Sequence, residues 1–220
     1  MIIKYIGHSC FKVMDNDTGY SIVLDPYEPG SVNGFGDIVD AASKVLCSHD
    51  HFDHNSAESV KIEPSDADPF EIRTIDTYHD EVKGAKRGPN RIYVIIDRKT
   101  GERLVHYGDI GEVLEDLLTE ENRELLCGAD MALIPVGGVY TYDAEEALDL
   151  IDATKPKITI PMHFRCESGG FGFGNIGSIE DFLTRAQKRG HEVRLAKVWF
   201  YDSSQNDLRD CILALRPENI

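Results

Sequence analysis

The stretch His49-Asp50-His51-Phe52-Asp53-His54 packs three imidazoles and two carboxylates into six residues. Its H-x-H-x-D-H spacing reads as half of a metal site. Alternate residues of an extended segment point the same way, so His49 and His51 can offer their rings to one ion. Asp53 and His54 follow on the turn and can serve a second ion close by. Histidines and aspartates also gather on solvated loops, and a lone H-x-H would mean little. Here, however, the cluster lies between the apolar, strand-like Lys44-Val45-Leu46-Cys47 and the helix-starting Asn55-Ser56-Ala57-Glu58. Sites usually sit in such a strand-to-loop-to-helix context. Metal-assisted hydrolysis is the chemistry this points to.

Working outward, the first 25 residues alternate as paired strands do: Ile2 to Ile6, Cys10 to Met14, and Tyr20 to Asp25 after the turn Asp15-Asn16-Asp17-Thr18-Gly19. An N-terminal antiparallel sheet is expected. Further strands are predicted at Arg73–Thr77, Arg91–Asp97, Glu102–Tyr107, Met131–Val136, Lys157–Pro161, Glu192–Ala196 and Cys211–Leu215. Helices are predicted at Glu112–Leu126, Asp143–Ala153 and Ser178–Arg189, each with apolar residues three and four apart and acidic residues in its first turn. Strands dominate the first half and alternate with helices in the second, the pattern of an α/β chain folded as a four-layer αββα sandwich. No linker or fixed-period repeat divides the sequence, so residues 1–220 are expected to form a single domain. Gly172-Phe173-Gly174-Asn175-Ile176-Gly177 satisfies G-x-G-x-x-G, but some ten residues separate it from the preceding strand. It reads as a loop leading into the helix capped by Ser178 rather than as a dinucleotide fingerprint.

With 39 acidic and 23 basic residues, the chain carries a net charge of −16, which repels long nucleic acid. Acidic residues crowd 112–124 and 143–152, which read as solvated helix faces. No apolar run approaches membrane-spanning length, and Met1-Ile2-Ile3-Lys4-Tyr5-Ile6 lacks the make-up of a secretory signal, so the expectation is a cytoplasmic protein without a membrane partner. The five cysteines are odd in number and widely spaced, without a C-x-x-C pair, and are assigned to packing as reduced thiols.

Two ions need more ligands than one cluster supplies. Other candidates end predicted strands: Asp25 in Val23-Leu24-Asp25-Pro26, His79 in Thr77-Tyr78-His79-Asp80, Asp109 in His106-Tyr107-Gly108-Asp109, and His163 in Ile160-Pro161-Met162-His163. Strand ends converge on one sheet edge, which is how distant ligands meet. With the opening Gly7-His8-Ser9, the segment Pro135-Val136-Gly137-Gly138 with Tyr140-Thr141, and Pro161-Met162-His163-Phe164, these motifs stand in an order that resembles the metallo-β-lactamase fold superfamily. More closely, the chain resembles the small hydrolase branch that looks like the bacterial ascorbate-phosphate lactonases and related metal-dependent hydrolases. The resemblance covers nearly the whole chain.

It implies two divalent metal ions, zinc or manganese first and iron as the remaining option, because imidazole and carboxylate donors suit all three. It implies His49, His51 and His79 around one ion, Asp53, His54 and His163 around the other, and Asp109 between them. Asp25 would accept a hydrogen bond from a ligand or its loop and fix ring orientation. His8 belongs near the site, touching it or hydrogen-bonded as a structural ring. His106 competes with His79 for a ligand position. Pleat alternation puts it on the opposite face from Asp109, which favours His79 and leaves His106 in a supporting place.

Such a pair of ions activates water, so no protein nucleophile is required. Asp53, beside His54, is the group suited to orient that water or to pass a proton to the leaving group. The reading is a metal-dependent hydrolase acting on a small lactone, ester or phosphodiester. Its rivals are a diiron redox protein, disfavoured by imidazole at His51 and the lack of a flavin domain, and a metal-binding sensor without catalysis. A homo-oligomer is left open. Lys83, Lys86, Arg87 and Arg91 follow His79 with no acidic residue from 82 to 92, and Arg165 stands two residues after His163. Arg87 and Arg165 are therefore candidate contacts to an anionic substrate, against the alternative of a solvated hairpin.

Overall fold

The computed structural model describes residues 1–220. In chain order its elements are β1 (Ile2–Gly7), β2 (Cys10–Met14), β3 (Ser21–Leu24), β4 (Ala41–Ala42), β5 (Lys44–Leu46), a 3-10 turn (Ala57–Ser59), β6 (Lys61–Ile62), β7 (Phe70–Tyr78), β8 (Pro89–Asp97) and β9 (Arg103–His106). There follow α1 (Leu114–Leu117), α2 (Glu120–Leu126), β10 (Met131–Pro135), α3 (Ala144–Thr154), β11 (Ile158–Met162), α4 (Ile179–Arg189), β12 (Glu192–Leu195), β13 (Phe200–Asp202) and β14 (Cys211–Ala214).

Two main sheets result, one ordered β13-β1-β2-β3-β5 and the other β12-β14-β11-β10-β9-β8-β7, with β4 and β6 as a separate small pair. β2 is antiparallel to both β1 and β3, and β5 is parallel to β3, so β1, β3 and β5 point the same way. In the larger sheet β8 is antiparallel to β7 and β9, while β10 runs parallel to β9 and β11. The C-terminal ends of β7, β9 and β11 therefore share one edge. One apolar cluster of 52 buried residues draws on both sheets, including Ile3, Phe11 and Ile22 from the first and Leu104, Leu133 and Ile160 from the second. Burial of this shared apolar surface holds the two sheets face to face.

All four α-helices lie in connections between strands of the larger sheet, and the half that carries the first sheet has only the 3-10 turn as helix. The α/β sandwich expected from the pattern is present, with four α-helices where three were expected. The predicted helix over 112–126 divides in two. Thr119 accepts a hydrogen bond from the Asn122 amide and starts α2, while Asn122 and Arg123 side chains donate to the Leu117 and Leu118 carbonyls that end α1. Local side-chain caps thus satisfy backbone groups that a continuous helix would have used. Asn55–Glu58 opens no α-helix either, since Ser56 makes no side-chain cap to the turn that follows it. By contrast, Asp143 and Glu146 form a reciprocal capping box on α3, and Ser178 accepts from the Asp181 amide at the start of α4. The acidic face of α3 is not merely solvated. Glu145 and Asp152 pair with Arg185 and Arg189 of α4 at 2.9 and 2.8 Å.

Candidate metal centre

The ends of β1, β3 and β5 in one sheet and of β7, β9 and β11 in the other bring the sequence-predicted ligands together. His8 and Asp25 directly follow β1 and β3, His49 to His54 come after β5, His79 follows β7, Asp109 lies three residues past β9, and His163 follows β11. His49, His51 and His79 form one group and His8, Asp53, His54 and His163 another, the donor atoms in each lying within 4.8 Å of one another. Asp109 Oδ2 reaches both groups: 3.2 Å from His79 Nε2 and 3.8 Å from His49 Nε2 on one side, 3.2 Å from His54 Nε2 and 3.3 Å from His163 Nε2 on the other.

Backbone strain gathers here. His8, Asp25 and His163 all adopt left-handed φ angles of 56°, 45° and 51°. Non-glycine residues in that region cost energy and persist only where the surroundings enforce them, typically at functional sites.

The rings are aimed by hydrogen bonds on their far sides. His54 Nδ1 donates to Asp25 Oδ2 at 2.8 Å. His49 Nδ1 lies 2.9 Å from Ser48 Oγ, whose own proton goes to Asp25 Oδ2 at 2.6 Å. Asp25 thereby fixes the tautomers of two rings at once and leaves Nε2 of each as a lone-pair donor toward the centre. Asn90 holds the Asp109 turn in a comparable way: its Oδ1 accepts from the Asp109 amide and its Nδ2 donates to the Tyr107 carbonyl. Gly108, between them, has φ of +56°, and a Cβ there would stand 2.3 Å from Asn90 Oδ1, so this turn requires glycine.

These residues fit a cation. Nε2 of His49, His54, His79 and His163 and Oδ1 of Asp109 are buried without a hydrogen-bond partner in the protein. Buried polar atoms left this way are costly, and five of them converging in one place ask for a ligand that accepts lone pairs. Burial lowers the pKa of His49 to about 3 and of His8 to about 4, so both are neutral donors at neutral pH. Burial works to raise the pKa of Asp109 and of Asp53, yet the His163 and His54 rings near Asp109, and His54 and His8 near Asp53, hold both carboxylates ionised. The same attraction raises His54, against its own burial, because Asp109 and Asp53 draw positive charge into the centre. A divalent ion meets that demand in place of a proton.

His106 is in neither ligand group, and its Nε2 lies 3.9 Å from Asp25 Oδ2. It is fully buried between the sheets, with Nε2 3.1 Å from the Ser9 carbonyl, Nδ1 accepting from the Gly108 amide, and the ring edge-on to Phe11. His8 lies at the centre, its Nε2 3.2 Å from Asp53 Oδ2.

Above the centre opens a cleft of about 350 Å³, floored by His51, Asp53, His79, Asp109 and His163. Its rim is Phe52, Lys86, Arg87, Tyr140, Phe173 and Asn175. Arg87 is thus at the cleft, and Arg165 is not. Arg165 Nε donates to the Ile176 carbonyl and its Nη1 pairs with Glu167 at 2.7 Å, which turns the guanidinium away from the floor. Sequence reasoning missed Phe173 and Asn175, which belong to the glycine-rich loop it set aside as a dinucleotide lookalike.

Residues 2–163 match the family described as a beta-lactamase superfamily domain. The chain belongs to the beta-lactamase superfamily. Among its relatives, a UPF0173 metal-dependent hydrolase of Staphylothermus marinus is 29% identical over 200 residues, spanning 74% of this superfamily member and 83% of its own chain. A UPF0173 protein of Pyrococcus abyssi is 26% identical over 215 residues, spanning 86% and 92%. A crystal structure from Thermotoga maritima, described as a candidate Zn-dependent hydrolase of the metallo-beta-lactamase superfamily, aligns with a TM-score of 0.68 at 25% identity over 97% of this chain and 98% of its own. A metallo hydrolase from Ignicoccus hospitalis shares the fold at a TM-score of 0.61 and 18% identity, over 100% of this chain and 96% of its own. The metallo-β-lactamase sandwich expected from the motif order is the fold this superfamily member adopts.

Proposed function

We propose that the metal-dependent hydrolase chemistry of this chain is carried by a two-ion centre and directed at a small, anionic lactone, ester or phosphodiester. One observation carries the reading: five buried, unpartnered imidazole and carboxylate atoms converge beneath an open cleft. In this reading His49, His51 and His79 would hold one ion, Asp53, His54 and His163 the other, and Asp109 would serve both. Bound divalent metal supplies Lewis-acid polarisation of the scissile carbonyl or phosphoryl group and lowers the pKa of water to near neutrality. The chain's own residues do the rest. Asp53, ionised and facing the cleft, orients the attacking water and can pass its proton to the leaving group. His8 steadies the Asp53 carboxylate through its hydrogen bond. Asp25 aligns His54 directly and His49 through Ser48. The cleft admits a small molecule, and the continuous core supports the reading of residues 1–220 as one functional unit.

The test is a chelator-stripped protein reloaded with zinc or with manganese and assayed against lactones, carboxylic esters, thioesters and phosphodiesters. Turnover of one bond class, present with metal and abolished without it, is expected. Failure with every metal on every class would remove the hydrolase reading.

A further inference from the structure

The hairpin between β7 and β8 carries the basic residues noted in the sequence, and most of them are neutralised. Lys83 pairs with Asp116, Lys86 with Glu81, and Arg91 with Asp76. Arg87 is the exception. Its Nη2 donates to the Val139 carbonyl at 2.6 Å, and its guanidinium lies over the Tyr140 ring, 5.5 Å from the centroid. No carboxylate meets it, in a protein of net charge −16. A guanidinium has five N–H donors, so most of them remain for a ligand.

The segment that presents Arg87 is built around Asp80, which is only 2% exposed. Asp80 Oδ1 accepts from the Val82 and Gly84 amides at 3.0 and 2.8 Å. Its Oδ2 accepts from the Lys86 and Arg87 amides at 2.9 and 2.7 Å. Four backbone donors on one carboxylate fold the loop around it. The Gly88 amide closes the turn on the Gly84 carbonyl, and Gly84 has φ of +80° with Gly88 O only 2.9 Å from where a Cβ would lie.

The receiving side is also fixed. Val139 adopts a φ of 63°, which a β-branched residue rarely does, and so turns its carbonyl toward Arg87. Tyr140 is held in turn by Asn175, whose Nδ2 donates to its hydroxyl at 2.7 Å. Three loops therefore lock a free guanidinium at the rim of the cleft.

We propose that Arg87 is an oxyanion subsite for the carboxylate or phosphate group of the substrate, and that Asp80 is a positioning residue acting through it. The proposal rests on the cleft being the substrate site, but its test reads binding and not turnover. A planar guanidinium matches carboxylate and phosphate bidentately, and its side chain is held in place before the ligand arrives.

Inorganic phosphate and acetate are titrated separately into the metal-loaded protein by calorimetry, with metal content measured for each variant. Arg87→Ala is expected to weaken the anion that the subsite takes by about 10- to 100-fold, the span of one or two charge-assisted hydrogen bonds. Asp80→Asn keeps one acceptor oxygen and sets an NH2 donor against the other two amides, so the four-amide loop cannot close around it and the same anion should weaken in the same direction. In the Arg87→Ala background Asp80→Asn should add nothing further, because both changes remove one interaction. Gly84→Ala, which reshapes the loop at a distance from the ligand residues, carries the same test should Asp80→Asn shed metal. A loss for one anion or both supports the subsite and shows which chemistry it takes. Equal affinities in wild type and Arg87→Ala for both anions would overturn the subsite, and additive losses would overturn the positioning role of Asp80.

Discussion

Replacing Asp109 with alanine is expected to empty both halves of the centre at once. Its Oδ2 is within 3.3 Å of His54, His79 and His163 Nε2, so it touches both imidazole groups. Asp53 approaches only the group that contains His8, His54 and His163, and Asp25 meets His54, and His49 through Ser48, on their Nδ1 sides, so Asp109 alone faces Nε2 atoms of both groups. Removing a group that merely orients a ligand typically costs about 10- to 100-fold in affinity or activity, and a shared ligand should cost more than that. Metal content should fall from two equivalents to below one, with activity down by more than about 100-fold. The fold should survive, since Asp109 sits at the cleft and not between the sheets. Full metal content and activity in Asp109→Ala would show that it does not join the two groups.

The second large effect separates two histidines. His79→Ala removes a ring whose Nε2 is 3.2 Å from Asp109 Oδ2 and whose centroid lies 4.7 Å from His49 and 5.0 Å from His51. It should cost about one equivalent of metal and more than about 100-fold in activity, with little change in the melting point of the metal-free protein. His106→Ala should do the opposite. It leaves the Ser9 carbonyl and Gly108 amide unpaired and opens a cavity beside Phe11, a loss of about 2–4 kcal/mol by the usual cost of truncating a buried, hydrogen-bonded side chain. Thermal unfolding and metal analysis of the two variants distinguish them, and the reverse result would exchange their roles.

Pattern reasoning reached the architecture wherever periodicity and chemistry agreed. The alternation of residues 2–24 and the capping signals at Asp143 and Ser178 describe elements that form as expected. It failed where a side chain competes with the backbone, as at Thr119, which starts a new helix inside an apparently continuous one. It also passed over β13, a three-residue strand formed because Tyr201 finds a partner in Ile3, nearly the whole chain away. Long-range pairing of that kind leaves no local trace.

The same division holds at the centre. Titratable residues at strand ends were visible because histidine and aspartate carry their chemistry in their names. The supports were not: Ser48, Asn90 and Asp80 are ordinary polar residues until the fold shows which rings, turns and loops they hold. Phe52 stands inside the decisive motif, and nothing in the sequence marks it as 53% exposed at the cleft opposite Phe173. Arg165 was adjacent in sequence to a ligand and is directed away from the floor by its bond to the Ile176 carbonyl.

In the proposed centre, seven residues hold two ions. Metal analysis of protein stripped with a chelator, reloaded with zinc or manganese and freed of excess by gel filtration tests it most directly. Two tightly held equivalents per chain are predicted, with hydrolytic activity rising as the second is filled. Retention of one equivalent or less under saturating metal would contradict the two-ion account.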